Sequence, residues 1–242
     1  MKTVQEGELL WAPGEARVAR SQVLRYMRWL EANRGLTFQS YEALWRWSIT
    51  DLDAFWSSIF EYFGVESSAP WEKVLGRRDM PGTQWFPGAR LNYAGYILAR
   101  ERPDATALIS VREGEPLERM SWATLAGRIR ILATQLRRMG VRPGDRVSAV
   151  LPNGPEAAIA MLATTSIGAV WSCCGPDFGI KGVLERFEQL SPKVFFYVDA
   201  YQYGGKRYER GAELGEILKG LGSVEHAIHV RYSGQRDRKS VV

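Results

Sequence analysis

Apolar residues recur every three to four positions in the first hundred residues, which is the spacing of helices with one buried face. This spacing predicts helices over three segments: 21–33, 40–47 and 50–63. Thr50 is expected to cap the third helix, because Asp53 follows three residues later, as in a capping box. Asn92 is expected to cap a further helix that runs to about Arg100.

Short apolar runs alternate with amphipathic segments from residue 105 onward. The runs predict strands over 105–111, 147–151, 169–171, 194–198 and 227–230. Helices are expected between them: one capped by Ser121 and closed by Gly140, and others over 155–167, 180–190 and 212–221. The strands lack polar alternation, which is typical of strands covered on both faces. Together these elements predict a parallel sheet with right-handed crossovers.

Composition and charge narrow the class of protein. The chain has 242 residues, a net charge of +5 and a mixture of acidic and basic residues along its length. We interpret it as a mildly basic enzyme, without a nucleic-acid partner. The sequence has no run of about 20 apolar residues, so no membrane partner is expected. The start, MKTVQEGELLW, has no apolar core of signal-peptide length, so no signal peptide and a cytoplasmic location are expected.

Both cysteines lie side by side in GAVWSCCGPDFG, from Gly168 to Gly179. Neighbouring cysteines do not easily reach the geometry of a mutual disulfide. A metal site is not expected, because the histidines, His226 and His229, lie far along the chain and no second Cys pair exists. Cys173 and Cys174 are therefore interpreted as small residues packed at a strand end, with no catalytic role.

The loop from Trp171 to Gly179 is expected to follow the carboxyl end of a buried strand. Ligands of open α/β sheets collect at that edge. The helix that begins at Ile180 would point its N-terminus there, an arrangement that suits an anion. An ordinary strand-to-helix connection explains the same residues.

Three segments carry a resemblance to a known family: WFPGARLNYA, GAVWSCCGPDFGIKGVLERFEQLSPKV and GGKR. Together they resemble the acetoacetyl-CoA synthetases, a branch of the adenylate-forming acyl- and aryl-CoA ligases. The resemblance extends from Leu10 to about Tyr232. The opening segment, LWAPGEARVARSQVLRYMRWLEANRGLTFQSYEALWRWSITDLDAFW, is also similar to the helical N-terminal region of acetyl-CoA synthetases.

The resemblance implies an α/β fold. A helical N-terminal region, 1–100, would pack on the first, incomplete parallel-sheet subdomain of an adenylate-forming ligase, 101–236. It implies that the complete enzyme activates acetoacetate with ATP and Mg²⁺ to an acyl-adenylate, then transfers the acyl group to coenzyme A. A small-molecule carboxylate is thus the expected partner.

The residues that would handle ATP are absent from the sequence. The family's phosphate loop, a Thr-Ser-Gly-Thr-Thr-Gly run followed by Pro-Lys, does not occur. The segment 164–168 begins Thr-Thr-Ser but lacks the second Gly and the Lys. The family's later motifs, including the one with the catalytic Lys, are also missing. No catalytic residue is assigned, and the chain alone is expected to be inactive.

One element of the family's coenzyme A site does match the sequence. In acetyl-CoA synthetases, a segment after the strand corresponding to 194–198 contacts coenzyme A phosphates through arginines. Residue by residue, that segment falls on Tyr203, Gly204, Gly205 and Lys206, with Arg207 able to share the role. Tyr203 departs from the basic residue of the family. A solvated basic turn explains the same residues.

The last six residues, 237–242, do not continue the family pattern. Their sequence, DRKSVV, is what a sequencing-library adapter read in frame would encode, so a non-native tail is expected. Two alternative functions stay open. One is an acetyl- or propionyl-CoA synthetase, which differs in the acyl pocket. The other is a non-catalytic module that binds coenzyme A or a nucleotide.

Overall fold

The structure is a computed structural model, and it describes residues 4–232. The chain divides into two compact units, Met1–Leu91 and Asn92–Val242. The expected boundary at residue 100 stays a prediction, as does the boundary at 236. The expected tail, 237–242, lies outside the described residues.

The first unit is helical, as its sequence spacing predicts. Its helices are α1 (Glu15–Ala19), α2 (Gln22–Arg34), α3 (Tyr41–Thr50) and α4 (Leu52–Tyr62). Ser21 and Ser40 cap α2 and α3 by accepting a backbone N–H three residues later. The buried core of this unit contains Tyr26, Leu30 and Leu44. The hydroxyl groups of Tyr26 and Ser58 share a hydrogen bond in that core, which satisfies both.

The expected cap at Thr50 is wrong. Thr50 is the last residue of α3, and its hydroxyl donates to the carbonyl oxygen of Arg46 at 2.9 Å. Asp51 caps α4 instead, because its carboxylate accepts the N–H of Ala54 at 3.0 Å. Thr50 is engaged by the preceding helix, so the next polar residue takes the capping role.

The second unit alternates helices and strands. It begins with α5 (Tyr93–Leu98), capped by Asn92 as expected. The remaining elements are β1 (Thr106–Ser110), β2 (Glu118–Ser121), α6 (Trp122–Arg138), β3 (Arg146–Val150), α7 (Pro155–Ser166), β4 (Val170–Cys174), α8 (Ile180–Phe187) with a 3-10 turn (Glu188–Leu190), β5 (Val194–Val198), β6 (Ala200–Tyr203), β7 (Lys206–Glu209), α9 (Gly211–Gly220) and β8 (His226–Val230).

Four strands form the parallel sheet that the sequence predicts. Its order is β4-β3-β5-β8, and every neighbouring pair is parallel. The strand expected over 105–111 forms, but it is wrong to count it in this sheet. As β1 it pairs with β2 in a separate antiparallel ribbon. The α/β fold class is confirmed.

Helices cover both faces of the parallel sheet and create two buried clusters. On one face, α6 and α7 pack on Val147 and Ala149 of β3. On the other, α8 and α9 pack around Val150 and Phe195. Full burial of a large apolar side chain such as Phe187 contributes roughly 1.5–3 kcal/mol.

The strand order contains a point where successive connections lead in opposite directions along the sheet: β3 connects to β4 on one side, and β5 connects to β8 on the other. From β3 the chain passes through α7 to β4, and it returns through α8, on the other face, to β5. The strands β3 and β5 are therefore neighbours whose connections leave on opposite faces. In sheets of this kind, ligands bind outside the carboxyl ends of the strands at this position.

Candidate functional site

A carboxylate fixes the carboxyl end of the sheet. Asp199 directly follows β5, and its Oδ1 accepts the backbone N–H of Tyr232 at 2.8 Å. Burial raises the pKa of Asp199, but the hydrogen bonds from Tyr232 and its own N–H, with the nearby His229, outweigh it and lower the pKa overall. Asp199 is therefore ionised at neutral pH and ties the end of β5 to the segment after β8.

The loop between β1 and β2 reaches the same edge. The guanidinium of Arg112 lies 3.0 Å from the carboxylate of Glu156, in the first turn of α7. The same guanidinium lies over the ring of Tyr232, 5.3 Å from its centroid. Arg112 thus links this loop to the first turn of α7 and to the segment after β8.

A β-hairpin follows Asp199 and carries the residues that the sequence predicts for coenzyme A. Strands β6 and β7 pair with Tyr203 opposite Lys206, so Gly204 and Gly205 alone form the turn. Both glycines have positive φ, 59° and 73°, as a two-residue hairpin turn of this type requires. The rings of Tyr201 and Tyr208 stack across the hairpin, 5.1 Å apart.

The turn holds an anion with its backbone amides. The N–H of Gly204 donates to Oε1 of Glu113 at 3.0 Å, and the N–H of Gly205 donates to Oε2 at 2.9 Å. Each oxygen of the carboxylate thus accepts one amide. Successive amides that converge on one anion form a nest, which is a common way for backbone to bind phosphate or carboxylate.

The two basic residues beside the turn have different surroundings. The ammonium of Lys206 is exposed, and it has no partner among residues 4–232. The Nε of Arg207 donates to Glu209 at 2.6 Å, and this hydrogen bond raises the pKa of Arg207 above its ordinary value. Tyr203 is 72% exposed. The structure brings the predicted residues together on one exposed hairpin; their contact with coenzyme A stays a prediction.

The adjacent cysteines are the last two residues of β4. The strand runs to Cys174, so the expected loop begins at Gly175 rather than at Trp171. Cys174 is buried, and desolvation, followed by the neighbouring Cys173, raises its pKa from 9.0 to about 11. Desolvation also raises the pKa of Cys173, which keeps part of its surface in solvent. Both thiols are protonated at neutral pH, but only Cys174 is packed as expected, because Cys173 lies on an exposed position of the strand.

The loop after β4 is tied down by Arg210, which donates to the carbonyl oxygen of Phe178 at 2.6 Å. Helix α8 begins at Ile180, and no side chain caps it. Anion binding at that N-terminus stays a prediction.

Residues 4–232 contain no group of three His, Cys, Asp or Glu side chains placed to hold a metal ion. In the same residues, no helix has both the length and the apolar character of a membrane span.

Sequence reasoning missed Glu113 and Asp199. Glu113 contacts a turn 91 residues later, and nothing in its local sequence indicates that contact. The hairpin itself has a signal, because two successive glycines flanked by tyrosines and basic residues are typical of a tight β-turn.

Comparisons with known proteins find family matches in both parts of the chain. The family of AMP-binding enzymes matches residues 98–239, and the N-terminus of acetyl-coenzyme A synthetase matches residues 41–95. An acetoacetyl-CoA synthetase of Macaca fascicularis is 35% identical over 97% of this chain, and one of Rhizobium meliloti (strain 1021) is 37% identical over 93%. The solved acetoacetyl-CoA synthetase from Streptomyces lividans superposes with a TM-score of 0.89 and 44% identity over 95% of this chain.

The matches cover a much smaller share of the relatives' own length than of this chain. The chain spans 35% of the Macaca protein, 34% of the Rhizobium protein and 36% of the Streptomyces chain. The AMP-binding match covers more than half of the present chain and contains the whole parallel sheet and the hairpin. By this match and by its fold, the chain belongs to the family of AMP-binding enzymes.

Proposed function

We propose that this chain is the N-terminal part of an ATP-dependent acyl-CoA ligase that acts on acetoacetate. The complete enzyme would form an acetoacetyl-adenylate with release of pyrophosphate, then transfer the acetoacetyl group to the thiol of coenzyme A. The observation that carries this proposal is the similarity to acetoacetyl-CoA synthetases, which covers 93–97% of the chain.

In this proposal, the hairpin of β6 and β7 contacts a phosphate group of coenzyme A. Two observations support that role: the amides of Gly204 and Gly205 already bind a carboxylate, and the ammonium of Lys206 is exposed beside them. Backbone amides and a lysine ammonium are common partners of phosphate. Tyr203 and Arg207 would flank the bound group.

ATP, Mg²⁺ and the acetoacetate pocket belong, in this proposal, to the remainder of the enzyme. Among residues 4–232, no three His, Cys, Asp or Glu side chains are grouped so that they could hold a metal ion by themselves. The family's phosphate loop is also missing from the sequence. No step of the adenylation is therefore assigned to residues of this chain.

An acetyl- or propionyl-CoA synthetase is the second candidate. The match of residues 41–95 to the N-terminus of acetyl-coenzyme A synthetase favours it. Turnover of the full-length gene product with acetate, propionate and acetoacetate decides between the two. A third candidate, a non-catalytic module, would bind coenzyme A or a nucleotide without any turnover.

The hairpin's role is tested by Lys206→Ala in the full-length gene product. Loss of one exposed phosphate contact is expected to raise KM for coenzyme A about three- to tenfold. Lys219→Ala is the matched control, because it removes the same charge from the exposed last turn of α9. An unchanged KM for coenzyme A in Lys206→Ala would contradict the assignment.

A further inference from the structure

The carboxylate of Glu113 occupies the amides that a phosphate of coenzyme A would use. Each of its oxygens accepts one N–H of the Gly204-Gly205 turn, at 3.0 and 2.9 Å, so neither amide is left for a second anion. Lys206, the residue that follows the turn, has no side-chain partner among residues 4–232, so its ammonium is open to an incoming anion. A phosphate that binds at this turn therefore competes with Glu113 for the same two amides.

The surroundings of Glu113 make this contact easy to displace. The side chain is exposed and lies in the loop between β1 and β2. Exposed charged contacts are weak, because water replaces them at little cost. The preceding residue, Arg112, is anchored to Glu156 and Tyr232, so the loop keeps Glu113 near the turn after release.

We propose that Glu113 is an internal competitor for the phosphate site of the hairpin. In the free enzyme it fills the nest formed by the Gly204 and Gly205 amides, and an incoming phosphate group of coenzyme A displaces it. This inference depends on the proposed function, since it assumes that the hairpin receives coenzyme A. It assigns to Glu113 an effect on affinity that is opposite to that of Lys206.

The test is Glu113→Gln in the full-length gene product, with KM for coenzyme A measured at saturating ATP and acetoacetate. Removal of the competing charge is expected to lower KM about threefold. Glu115→Gln is the matched control: it removes the same charge from the same exposed loop, and KM is expected to stay within about twofold of the unsubstituted enzyme. An unchanged or increased KM in Glu113→Gln would overturn the inference.

Dephospho-coenzyme A, which lacks the 3′-phosphate, identifies the displacing group. If Glu113→Gln lowers KM for coenzyme A but not for dephospho-coenzyme A, the displacing group is the 3′-phosphate. If it lowers KM for both compounds, the displacing group is the diphosphate. Both results support competition. Lys206→Ala separates the two proposals: if it raises KM while Glu113→Gln has no effect, the inference fails and the proposed function stands. If neither substitution changes KM, the hairpin has no role in binding coenzyme A.

Discussion

At the scale of single residues, the surroundings of a side chain decide its chemistry. Cys174 lies at the end of a strand among buried apolar residues, where its thiolate is poorly solvated. Its pKa of about 11 leaves it protonated across the physiological range. Of the two thiols that stand out in the sequence, Cys174 is therefore part of the packing of the sheet, whereas Cys173 is exposed.

This environment predicts slow alkylation. In a Cys173→Ser variant, Cys174 is expected to react with iodoacetamide at pH 7.5 at least about tenfold more slowly than in urea, because the variant keeps the desolvation that chiefly raises the pKa of Cys174 and loses only the smaller contribution of Cys173. The rate is expected to rise steadily from pH 8 to pH 11. Mass spectrometry of timed samples measures it, and equal rates in the folded and unfolded chain would refute the packing role.

The residues of the candidate site differ in how far sequence predicts them. Gly204 and Gly205 are predictable, because a turn with two positive φ angles favours glycine at both positions. Glu113 is not, since its partners are 91 and 92 residues away and the fold alone brings them together. The same holds for Asp199, whose role depends on the register between β5 and β8.

At the scale of elements, helices are predictable where a cap and a periodic apolar face coincide. Ser121 accepts the N–H of Thr124 and begins α6, whose buried face matches the sequence spacing. Strands β6 and β7 were not predicted, because β7 is exposed at every residue and has no apolar alternation. Strand β7 is held by the turn and by cross-strand contacts, whereas β6 is also anchored by the buried Ala200 and by Tyr201, which packs against the core.

The same replacement, glycine by alanine, tests the local requirements of a helix and of a turn at two positions. Gly215→Ala, in the exposed middle of α9, is expected to raise the free energy of unfolding by about 0.5–1 kcal/mol, because alanine favours helix. Gly205→Ala is expected to lower it by about 1 kcal/mol, because its φ of 73° strains any side chain. Neither new methyl group meets an atom within 4 Å. Urea unfolding of the chain measures both, and changes of the same sign would contradict this account.

At the scale of the whole molecule, the alternation of strands and helices predicts the α/β class but not the order of the strands. Four apolar segments of similar length give no sign that β3 lies between β4 and β5. That order follows from which faces the connecting helices cover. The expected ligand-binding position, outside the carboxyl ends of β3 and β5, could therefore be recognised only in the structure.

The chain alone is expected to show no exchange of labelled pyrophosphate into ATP that depends on acetoacetate. The phosphate loop that the family resemblance implies does not occur in its sequence, so no acyl-adenylate is expected to form. The full-length gene product assayed in parallel provides the positive control. Exchange by the 242-residue chain above the level without acetoacetate would refute this expectation.

During synthesis on the ribosome, β3 emerges before both strands that flank it in the sheet. Its neighbour β5 follows only after α7, β4 and α8 have been made. Throughout that interval one edge of an apolar strand is open to other nascent chains and to chaperones. The codons for residues 151–193 are therefore expected to influence the yield of folded protein, since slow decoding there prolongs the exposure.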